Sequence, residues 1–463
     1  MYALLRAIAG IALRWFYRSI DVEGLDRIPR GAPIILVGNH PNALVDALVI
    51  GWVIPRRVII TAKATLFQNP VFAWLLARAG VVPLVRASDV RSGAVPGPSD
   101  PSRNERSFQA LRSVLERGGA MLIFPEGISH DQPALAPLRT GAARIALHAR
   151  DEARVRDLHI VPVGLTFERK DAPRSRVLAQ VGEPIAMDAW RAPDGSANIA
   201  QALTDEIDAR LRAVTLNYAS VDDASRAAAL ASLFASVLAD APRALGDTPP
   251  LGFEVGLARR VDDARTLLAH RADEALRARA DVLLKRLAEF EQSLARHGVA
   301  LDDVGIPTSI GDGARFLARE GWILAVGGPI AMWGFVNHWI PFHAARAVAV
   351  RSIESAADPA MRTIVAGAAL VLAFYTAQGA VVAALAGKLV AFLYLVSLPV
   401  AADVNFALRE RLARGTRRAR AYLLFRRRPR LQARLQEELR QLREDALEVD
   451  GLLREDGRAR QPV

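Results

Sequence analysis

The sequence predicts an α/β domain with a mixed, largely parallel sheet and flanking helices, followed by a helical region and C-terminal membrane helices. In residues 21–215, apolar runs of strand length alternate with stretches of helical length, which is typical of an α/β layer architecture. Residues 216–320 keep a helical periodicity in an Ala-, Leu- and Arg-rich composition, which predicts a helical accessory domain. Residues 321–405 contain apolar stretches longer than the helices of soluble proteins, which predicts a membrane-embedded region.

The composition narrows the classes of function. The 463 residues include no cysteine, which excludes disulfides, thiolate metal sites and a cysteine nucleophile. The net charge is +11, and 56 of the 60 basic residues are arginine, a bias that partly reflects a GC-rich coding sequence. Because this charge accompanies hydrophobic runs, we expect membrane lipids or an anionic substrate as partners rather than nucleic acid.

Residues 1–20 are predicted to form an interfacial amphipathic helix. Three arginines, at positions 6, 14 and 18, interrupt the apolar run, and no small-residue cleavage site follows it. The segment therefore does not have the pattern of a signal peptide or of a spanning helix. The aromatic residues 15–17 would anchor it among lipid headgroups. An ordinary helix packed on the domain is the alternative.

Turn residues separate the elements of the α/β domain. Gly80 and the glycine pair 118–119 end two of its helices, and a Gly-, Pro- and Ser-rich loop covers 92–103. The predicted strands are 33–38, 57–62, 81–86, 120–125 and 158–167, and the predicted helices are 43–53, 71–80, 104–119 and 140–150.

Two long hydrophobic segments follow the helical region. Residues 321–341 contain no acid or base except His338, and residues 363–402 contain only Lys388. Both are long enough for membrane insertion. The second could supply two short spans or a re-entrant hairpin near Gly379–Lys388.

The tail at 406–463 is predicted to be basic and cytoplasmic. Residues 409–430 hold ten arginines and one acid, Glu410, and the positive-inside rule keeps such a flank in the cytoplasm. Three full crossings would put the α/β domain and this tail on opposite faces. We therefore expect an integral protein of the cytoplasmic membrane in which both face the cytoplasm, with an even number of crossings or a re-entrant hairpin.

The segment VGNHPNALVDALV (37–49) places His40 where a strand gives way to a helix, with Pro41 predicted at the first helical position. Asp46 would orient His40 as a general base. Six residues of regular helix rotate by about 600°, so the two side chains meet only if the first turn is irregular. A capping histidine and a solvated Asp46 are the alternative.

The segment AMLIFPEGISHDQPALAPLRTGAARIAL (120–147) carries a second set of candidates. Glu126 and Gly127 form a turn after a strand, where the backbone can approach a ligand. Ser129 lacks a G-x-S-x-G context and is not a hydrolase nucleophile by pattern. His130 is a possible second base, ranked below His40.

Two arginines are candidates for binding phosphate. Arg139 precedes a glycine-opened helix, whose free backbone N–H groups favour anions. Arg86 ends the strand in GVVPLVR (80–86). In a chain so rich in arginine, solvated surface side chains are the alternative.

Four blocks in this order, NHPNALVD, GVVPLVR, FPEG and VPVGL, resemble the phospholipid/glycerol acyltransferase family, the His-x4-Asp acyltransferases. The resemblance covers about residues 20–190. Two features depart from the common pattern: five residues separate His40 from Asp46, and FPEG is followed by ISH rather than TRS. Both are similar to the fungal glycerol-3-phosphate/dihydroxyacetone-phosphate acyltransferase branch.

The resemblance implies a membrane-bound acyltransferase of phospholipid biosynthesis, with residues 21–215 as its glycerolipid acyltransferase domain. An acyl group would pass from acyl-CoA or acyl carrier protein to glycerol 3-phosphate or dihydroxyacetone phosphate, with no metal or other cofactor. His40 would be the general base, oriented by Asp46, and the acceptor would attack the thioester directly. Acylation of lysophosphatidate or another lysolipid, or a non-catalytic lipid-binding scaffold, are the alternatives. The substrate-binding residues it implies are Arg86, Glu126, Gly127, Ser129 and Arg139.

Overall fold

The computed structural model describes residues 2–68, 70–84, 105–170, 172–237, 250–269, 274–351 and 359–458. The chain divides into two compact units: Met1–Val221 with Ala345–Ala368, and Asp222–Ala344 with Ala369–Val463. The first unit contains the sheet described next, and the second contains most of the long apolar helices.

The first unit is built around a sheet that has eight strands among the described residues. These are β1 (Ser19–Glu23), β2 (Ile34–Gly38), β3 (Val58–Lys63), β4 (Val82–Leu84), β5 (Ala120–Ile123), β6 (His159–Phe167), β7 (Arg176–Val181) and β8 (Ile185–Ala186). Their order is β1-β7-β6-β2-β5-β3-β4, with β8 beside β6. Only the β6–β7 and β6–β8 pairs are antiparallel, so the prediction of a mixed, largely parallel sheet is confirmed.

Helices cover both faces of this sheet. They are α1 (Tyr2–Phe16), α2 (Ala43–Val53), α3 (Pro70–Ala79), α4 (Glu105–Glu116), α5 (Gly141–Asp151) and α6 (Ile199–Arg212). The central strand β2 sends Ile34 and Leu36 into the cluster formed with α1 and α2. It sends Ile35 and Val37 into the cluster formed with α4, α5 and α6. A strand buried on both faces needs a continuous apolar run, which is what this strand has.

Two element boundaries differ from the predictions. The predicted helix 43–53 is confirmed at both ends, but the prediction of Pro41 at its first position is wrong, because Asn42 is the N-cap and Ala43, with a left-handed φ of 46°, is the first helical residue. The N-terminal helix ends at Phe16, and the edge strand β1 occupies the end of the segment that was predicted to be helical. Of the predicted strand 81–86, residues 85 and 86 lie outside the described residues.

Helix α1 is docked on the domain by one side and exposed on the other. Leu13 is fully buried, and the guanidinium of Arg6 donates to the carbonyl oxygens of Trp52 and Ile54 at the end of α2, both at 2.9 Å. The opposite side exposes an apolar stripe: Leu4, Ile8 and Ile11. The two sequence interpretations of this segment are therefore compatible, since one side packs and the other faces out.

The remaining helices are α7 (Val221–Val237), α8 (Leu251–Ala269), α9 (Glu274–His297), α10 (Ile310–Arg351), α11 (Pro359–Ala386), α12 (Lys388–Arg427) and α13 (Pro429–Arg458). In the second unit, Leu287 and Phe290 of α9 share a buried cluster with Leu435 and Leu442 of α13. The side chains of Arg286 and Asp445 form an ion pair between the same two helices.

Three helices among the described residues are long and apolar enough to cross a membrane: Ile310–Ala344, Gly367–Ala386 and Lys388–Arg427. The predicted stretch 363–402 is thus divided at Gly387, whose φ of 88° favours glycine. Polar pairs join these helices. His338 Nε2 lies 2.6 Å from the Tyr375 hydroxyl, and the Tyr394 hydroxyl donates to Asn337 Oδ1 at 2.6 Å. Such interhelical hydrogen bonds satisfy polar side chains for which lipid tails offer no hydrogen-bond partner.

The two ends of the hydrophobic region lie side by side. Arg411, which follows the apolar part of α12, donates from Nε and Nη2 to the carboxylate of Glu320 at 2.6 and 2.8 Å. Glu320 directly precedes the apolar part of α10. The Tyr422 hydroxyl also donates to the Ser309 carbonyl oxygen at 3.0 Å. The chain therefore enters and leaves this region at the same level.

Replacing Gly164 by alanine should destabilise the first unit. A Cβ at Gly164, on β6, would lie 1.9 Å from the backbone oxygen of Val214, which cannot move as a flexible side chain can. Overpacking of this kind costs about 1–3 kcal/mol. We expect a lower Tm for Gly164→Ala in detergent. Gly141→Ala is the matched control, because its Cβ would meet open space, and an equal effect of both variants would contradict the packing argument.

Candidate active site

The carboxyl end of β2 presents His40 to the site. Strand β2 ends at Gly38, and Asn39 then extends its pairing with side-chain bonds to β6. Asn39 Nδ2 donates to the Leu165 oxygen at 3.0 Å, and the Leu165 N–H donates to Asn39 Oδ1 at 2.7 Å. The residue after Asn39 is therefore held at the edge where parallel strands deliver their sites.

His40 and Asp46 form a buried pair. His40 Nδ1 lies 3.0 Å from Asp46 Oδ2, with His40 9% exposed and Asp46 fully buried. The two meet because His40 precedes the helix, so helical rotation does not separate them. Asp46 lies on the first turn of α2, and the Asn42 N–H also donates to its Oδ2 at 2.7 Å.

Opposing effects act on the protonation of Asp46. Burial raises the pKa of Asp46, while the hydrogen bond from His40 acts in the opposite direction. Asp46 Oδ1 is buried and has no hydrogen-bond partner among the described residues. When Asp46 is ionised it can only accept hydrogen bonds, and Nδ1 of His40 is then the donor of this bond. That leaves Nε2 to accept a proton from a substrate.

Phe124 and Glu126 hold His40 from the neighbouring strand. The His40 ring stacks on Phe124 with centroids 4.0 Å apart and an interplanar angle of 8°. The His40 backbone N–H donates to Glu126 Oε1 at 2.8 Å. The Ala136 N–H donates to Glu126 Oε2 at 2.9 Å, and His130 Nε2 contacts the same oxygen. Both carboxylate oxygens of Glu126 are thus engaged inside the protein, which its residue type and position did not predict.

Gly127 and Arg139 lie together beside this turn. Gly127 has a φ of 73°, and a Cβ there would lie 2.7 Å from Nε of Arg139. The side chain of Arg139 therefore passes close over the turn, and the left-handed φ of Gly127 favours glycine at this position. Arg139 is exposed, its N–H donates to the Pro125 oxygen at 2.8 Å, and α5 begins two residues later. The other predicted phosphate ligand, Arg86, lies outside the described residues.

Three residues near His40 were not singled out from the sequence: Asn39, Asn42 and Lys170. Asn42 donates from Nδ2 to the Tyr17 hydroxyl at 3.1 Å, and Lys170 Nζ donates to the Pro41 oxygen at 3.4 Å. The available signals were two asparagines flanking the His-Pro pair and one of only four lysines in the chain.

The predicted site residues on β2, α2 and the β5 turn thus converge around His40, while Arg139 borders the turn. The arrangement provides a base, Nε2 of His40, whose partner carboxylate can stabilise the imidazolium that forms. No group of three or more potential metal-ligating side chains occurs within the described ranges. The expectation that no cofactor is needed stays a prediction.

Comparison with known proteins shows similarity to acyltransferases. The family model "Acyltransferase" matches residues 19–166. The chain is 39% identical over 85 residues to "Glycerol-3-phosphate O-acyltransferase 2" of Saccharomyces cerevisiae, covering 18% of this chain and 11% of that protein. It is 29% identical over 192 residues to "1-acyl-sn-glycerol-3-phosphate acyltransferase" of Cocos nucifera, covering 40% of this chain and 55% of that protein.

A solved structure, the 1-acyl-sn-glycerophosphate acyltransferase of Thermotoga maritima, is 20% identical and covers 46% of this chain and 78% of that one. Its TM-score of 0.34 is too low to add to the fold argument. The chain spans 11% and 55% of the lengths of the two relatives described above. The family match covers residues 19–166, a stretch that includes the His40–Asp46 pair and the Glu126 turn.

Proposed function

We propose that the chain is a membrane-bound O-acyltransferase that transfers a fatty acyl group from acyl-CoA or acyl carrier protein to glycerol 3-phosphate or dihydroxyacetone phosphate. The observation that carries the proposal is the His40–Asp46 pair, with Nδ1 bonded to a buried carboxylate and Nε2 left to act as a base. The family match and the glycerol-3-phosphate O-acyltransferase relative support the reaction class.

The proposed reaction is a direct acyl transfer. Nε2 of His40 takes the proton of the acceptor hydroxyl while its oxygen bonds to the thioester carbonyl carbon. The carbon–sulfur bond then breaks, and the departing thiolate takes the proton from the imidazolium. Asp46 stabilises that imidazolium through Nδ1. No acyl-enzyme is needed, which suits a chain without cysteine.

The proposed acceptor site lies around the Gly127 turn. Arg139 and Arg86 would hold the acceptor phosphate, since guanidinium groups pair well with phosphate oxygens. Gly127 leaves room for the Arg139 side chain to cross the turn. We assign Glu126 to holding the His40 backbone, because its two oxygens already accept from groups of the protein.

Acylation of lysophosphatidate is the second candidate function. It is favoured by the longer match, 192 residues, to a 1-acyl-sn-glycerol-3-phosphate acyltransferase. The test is to supply the purified full-length protein in detergent with acyl-CoA or acyl carrier protein and either acceptor. Higher kcat/KM for glycerol 3-phosphate or dihydroxyacetone phosphate supports the first proposal. Preference for lysophosphatidate supports the second, and no transfer to any of them favours a lipid-binding scaffold.

Replacing His40 by alanine should lower kcat by roughly 10²–10⁴-fold, because the general base is lost. The variant should remain folded, as judged by its Tm. The control is His159→Ala, at the amino end of β6, where the ring contacts the Asp157 oxygen and lies away from the carboxyl strand ends. Near-normal turnover of His40→Ala would reject His40 as the base and turn attention to His130.

Asp46→Asn should lower kcat by at least about tenfold, because asparagine does not stabilise the imidazolium, without a matching loss of stability. Burial raises the pKa of Asp46 above 3.8, so its stabilising contribution is complete below that value and is lost as pH rises through the folded-state pKa. Asparagine does not titrate. The Tm of the variant relative to wild type should therefore increase as the pH is raised from below 4 toward neutrality.

Asp151→Asn is the control for this pH series and should give the opposite sign. A hydrogen bond from Arg150 lowers the pKa of Asp151, so its contribution is present above 3.8 and lost on acidification. The relative Tm of this variant should decrease as pH rises, weakly, because the pair is exposed. The same trend in both variants would contradict the role given to burial at Asp46.

We further propose that the hydrophobic region enters and leaves the cytoplasmic membrane at its cytoplasmic face. The Glu320–Arg411 pair supports an even number of crossings, since it joins residues that flank the region on either side. The candidate spans within the described residues all follow residue 310, so the acyltransferase domain would share the face of Glu320. The exposed stripe of α1 would lie in the same leaflet.

Cysteine labelling tests this topology in a chain with no cysteine of its own. Ala209→Cys in α6 and Ala433→Cys in α13 are exposed positions on either side of the region, and both should resist an impermeant thiol reagent in sealed cells. Ala386→Cys, at the turn between α11 and α12, should be labelled if that hairpin reaches the far face. Labelling of only one of the first two would overturn the shared-face arrangement.

A further inference from the structure

We propose that Ser129, His130 and Asp131 form a clasp that holds the loop carrying His40, and that they act as positioning residues rather than as substrate ligands or as a second base. The inference rests on the proposed function for its catalytic consequence, but not for its geometry. One residue, Ile128, separates them from the FPEG block, and they lie where the chain departs from the common family pattern.

The loop from Asn39 to Ala43, here called the His40 loop, is held at every residue. Asn39 bonds to β6 through its side chain, and the His40 N–H bonds to Glu126. The Pro41 oxygen accepts from Lys170, and the Asn42 N–H donates to Asp46. The Ala43 N–H donates to Ser129 Oγ at 3.0 Å. Because each residue of the His40 loop bonds to a residue outside the loop, these contacts determine the conformation of the loop.

Ser129 supports the most strained residue of the His40 loop. Ala43 has a left-handed φ of 46°, a conformation that L-residues rarely adopt. The bond from the Ala43 N–H to Ser129 Oγ satisfies a donor at the start of α2 that no helical carbonyl can accept from. Ser129 thus stabilises the irregular first turn that lets His40 reach Asp46.

His130 acts on His40 through Glu126 and through its own backbone. Its Nδ1 accepts from the Gln132 N–H at 3.2 Å, which puts the ring proton on Nε2, and Nε2–H donates to Glu126 Oε2. Glu126 Oε1 in turn accepts from the His40 N–H. The His130 N–H also points to the His40 oxygen at 3.4 Å. With both ring nitrogens engaged, His130 is placed to orient Glu126 and not to take a substrate proton.

Asp131 completes the clasp through a cation. Its carboxylate forms an ion pair with Lys170 Nζ, and that ammonium donates to the Pro41 oxygen. The Lys170 backbone oxygen also accepts from Asn42 Nδ2 at 3.3 Å. Three consecutive side chains therefore reach three different points of the His40 loop: Ala43 directly, His40 through Glu126, and Pro41 through Lys170.

The experiment compares His130→Ala and Ser129→Ala with His148→Ala in the full-length protein in detergent. His148 is the matched control because it pairs with Glu152 at the same i, i+4 spacing as Glu126 and His130, but it is 44% exposed and lies on α5. Hydrogen–deuterium exchange of peptides covering residues 39–46 is measured for each variant, together with kcat and the acceptor and donor KM.

We expect faster hydrogen–deuterium exchange of residues 39–46 in His130→Ala and in Ser129→Ala. The exchange of these residues should be unchanged in His148→Ala. The kcat should fall by about tenfold or more, with each KM within about twofold, because a displaced base slows chemistry without weakening binding. His130→Gln keeps a donor near the position of Nε2 and should recover most of the lost kcat.

Two results would overturn the clasp. Unchanged exchange in both His130→Ala and Ser129→Ala would show that the His40 loop does not depend on these side chains. A large rise in acceptor KM with unchanged exchange would make them substrate ligands. If the wild-type protein transfers no acyl group to any of the tested acceptors, the proposed function fails, while the exchange comparison still decides whether the clasp exists. If His130→Ala does not fold, the test uses Ser129→Ala, which removes only the hydrogen bond from the Ala43 N–H.

Discussion

The buried carboxylate of Asp46 is the constraint on which the geometry of the first unit depends. A carboxylate with no exposed surface is costly unless it accepts hydrogen bonds, and the two donors to its Oδ2, His40 Nδ1 and the Asn42 N–H, both come from the His40 loop. That loop must leave β2, turn sharply and begin α2 within a few residues. The left-handed Ala43, the N-cap at Asn42 and the inward-facing Glu126 all follow from bringing these donors to one oxygen.

The partners of the His40 loop come from distant parts of the chain. Tyr17 directly follows α1, Glu126 follows β5, and Lys170 follows β6. Because α1 is docked by Arg6 and Leu13, the N-terminal segment supports the site as well as presenting an apolar stripe. Helix α1 thus connects the residue that supports the His40 loop, Tyr17, with the apolar surface proposed to contact lipid.

Short apolar runs were enough to predict strands β2 to β6, and β2, which is buried on both faces, shows this burial as an unbroken apolar run. The break of the long apolar stretch near Gly387 also fell within the predicted turn region. Sequence preferences within one segment did not predict features that depend on contacts with residues distant in the chain. Pro41 is a good first helical residue by local preference, but the Asn42 N–H donates to Asp46 and the Ala43 N–H donates to Ser129, and α2 begins at Ala43, where the apolar run 43–53 begins.

For the same reason the internal role of Glu126 could not be predicted, since its donors, His40 and Ala136, are 86 and 10 residues away. The pairing of Glu320 with Arg411 spans 91 residues and has no local signature either. The residues of the candidate site could be predicted from the sequence. Their hydrogen-bond and ion-pair partners could be identified only from the folded structure.

The position of His40 outside the helix has a consequence for how such proteins diversify. Only Asp46 lies in the helix, so only its direction follows the helical repeat, whereas the position of His40 is set by the end of strand β2. The number of residues between them can therefore change by one, provided that a short irregular stretch such as Asn42–Ala43 takes up the extra length. Counting residues between the histidine and the aspartate is then an unreliable way to find relatives. A better search criterion is a His that follows a buried strand and a carboxylate on the first turn of the next helix.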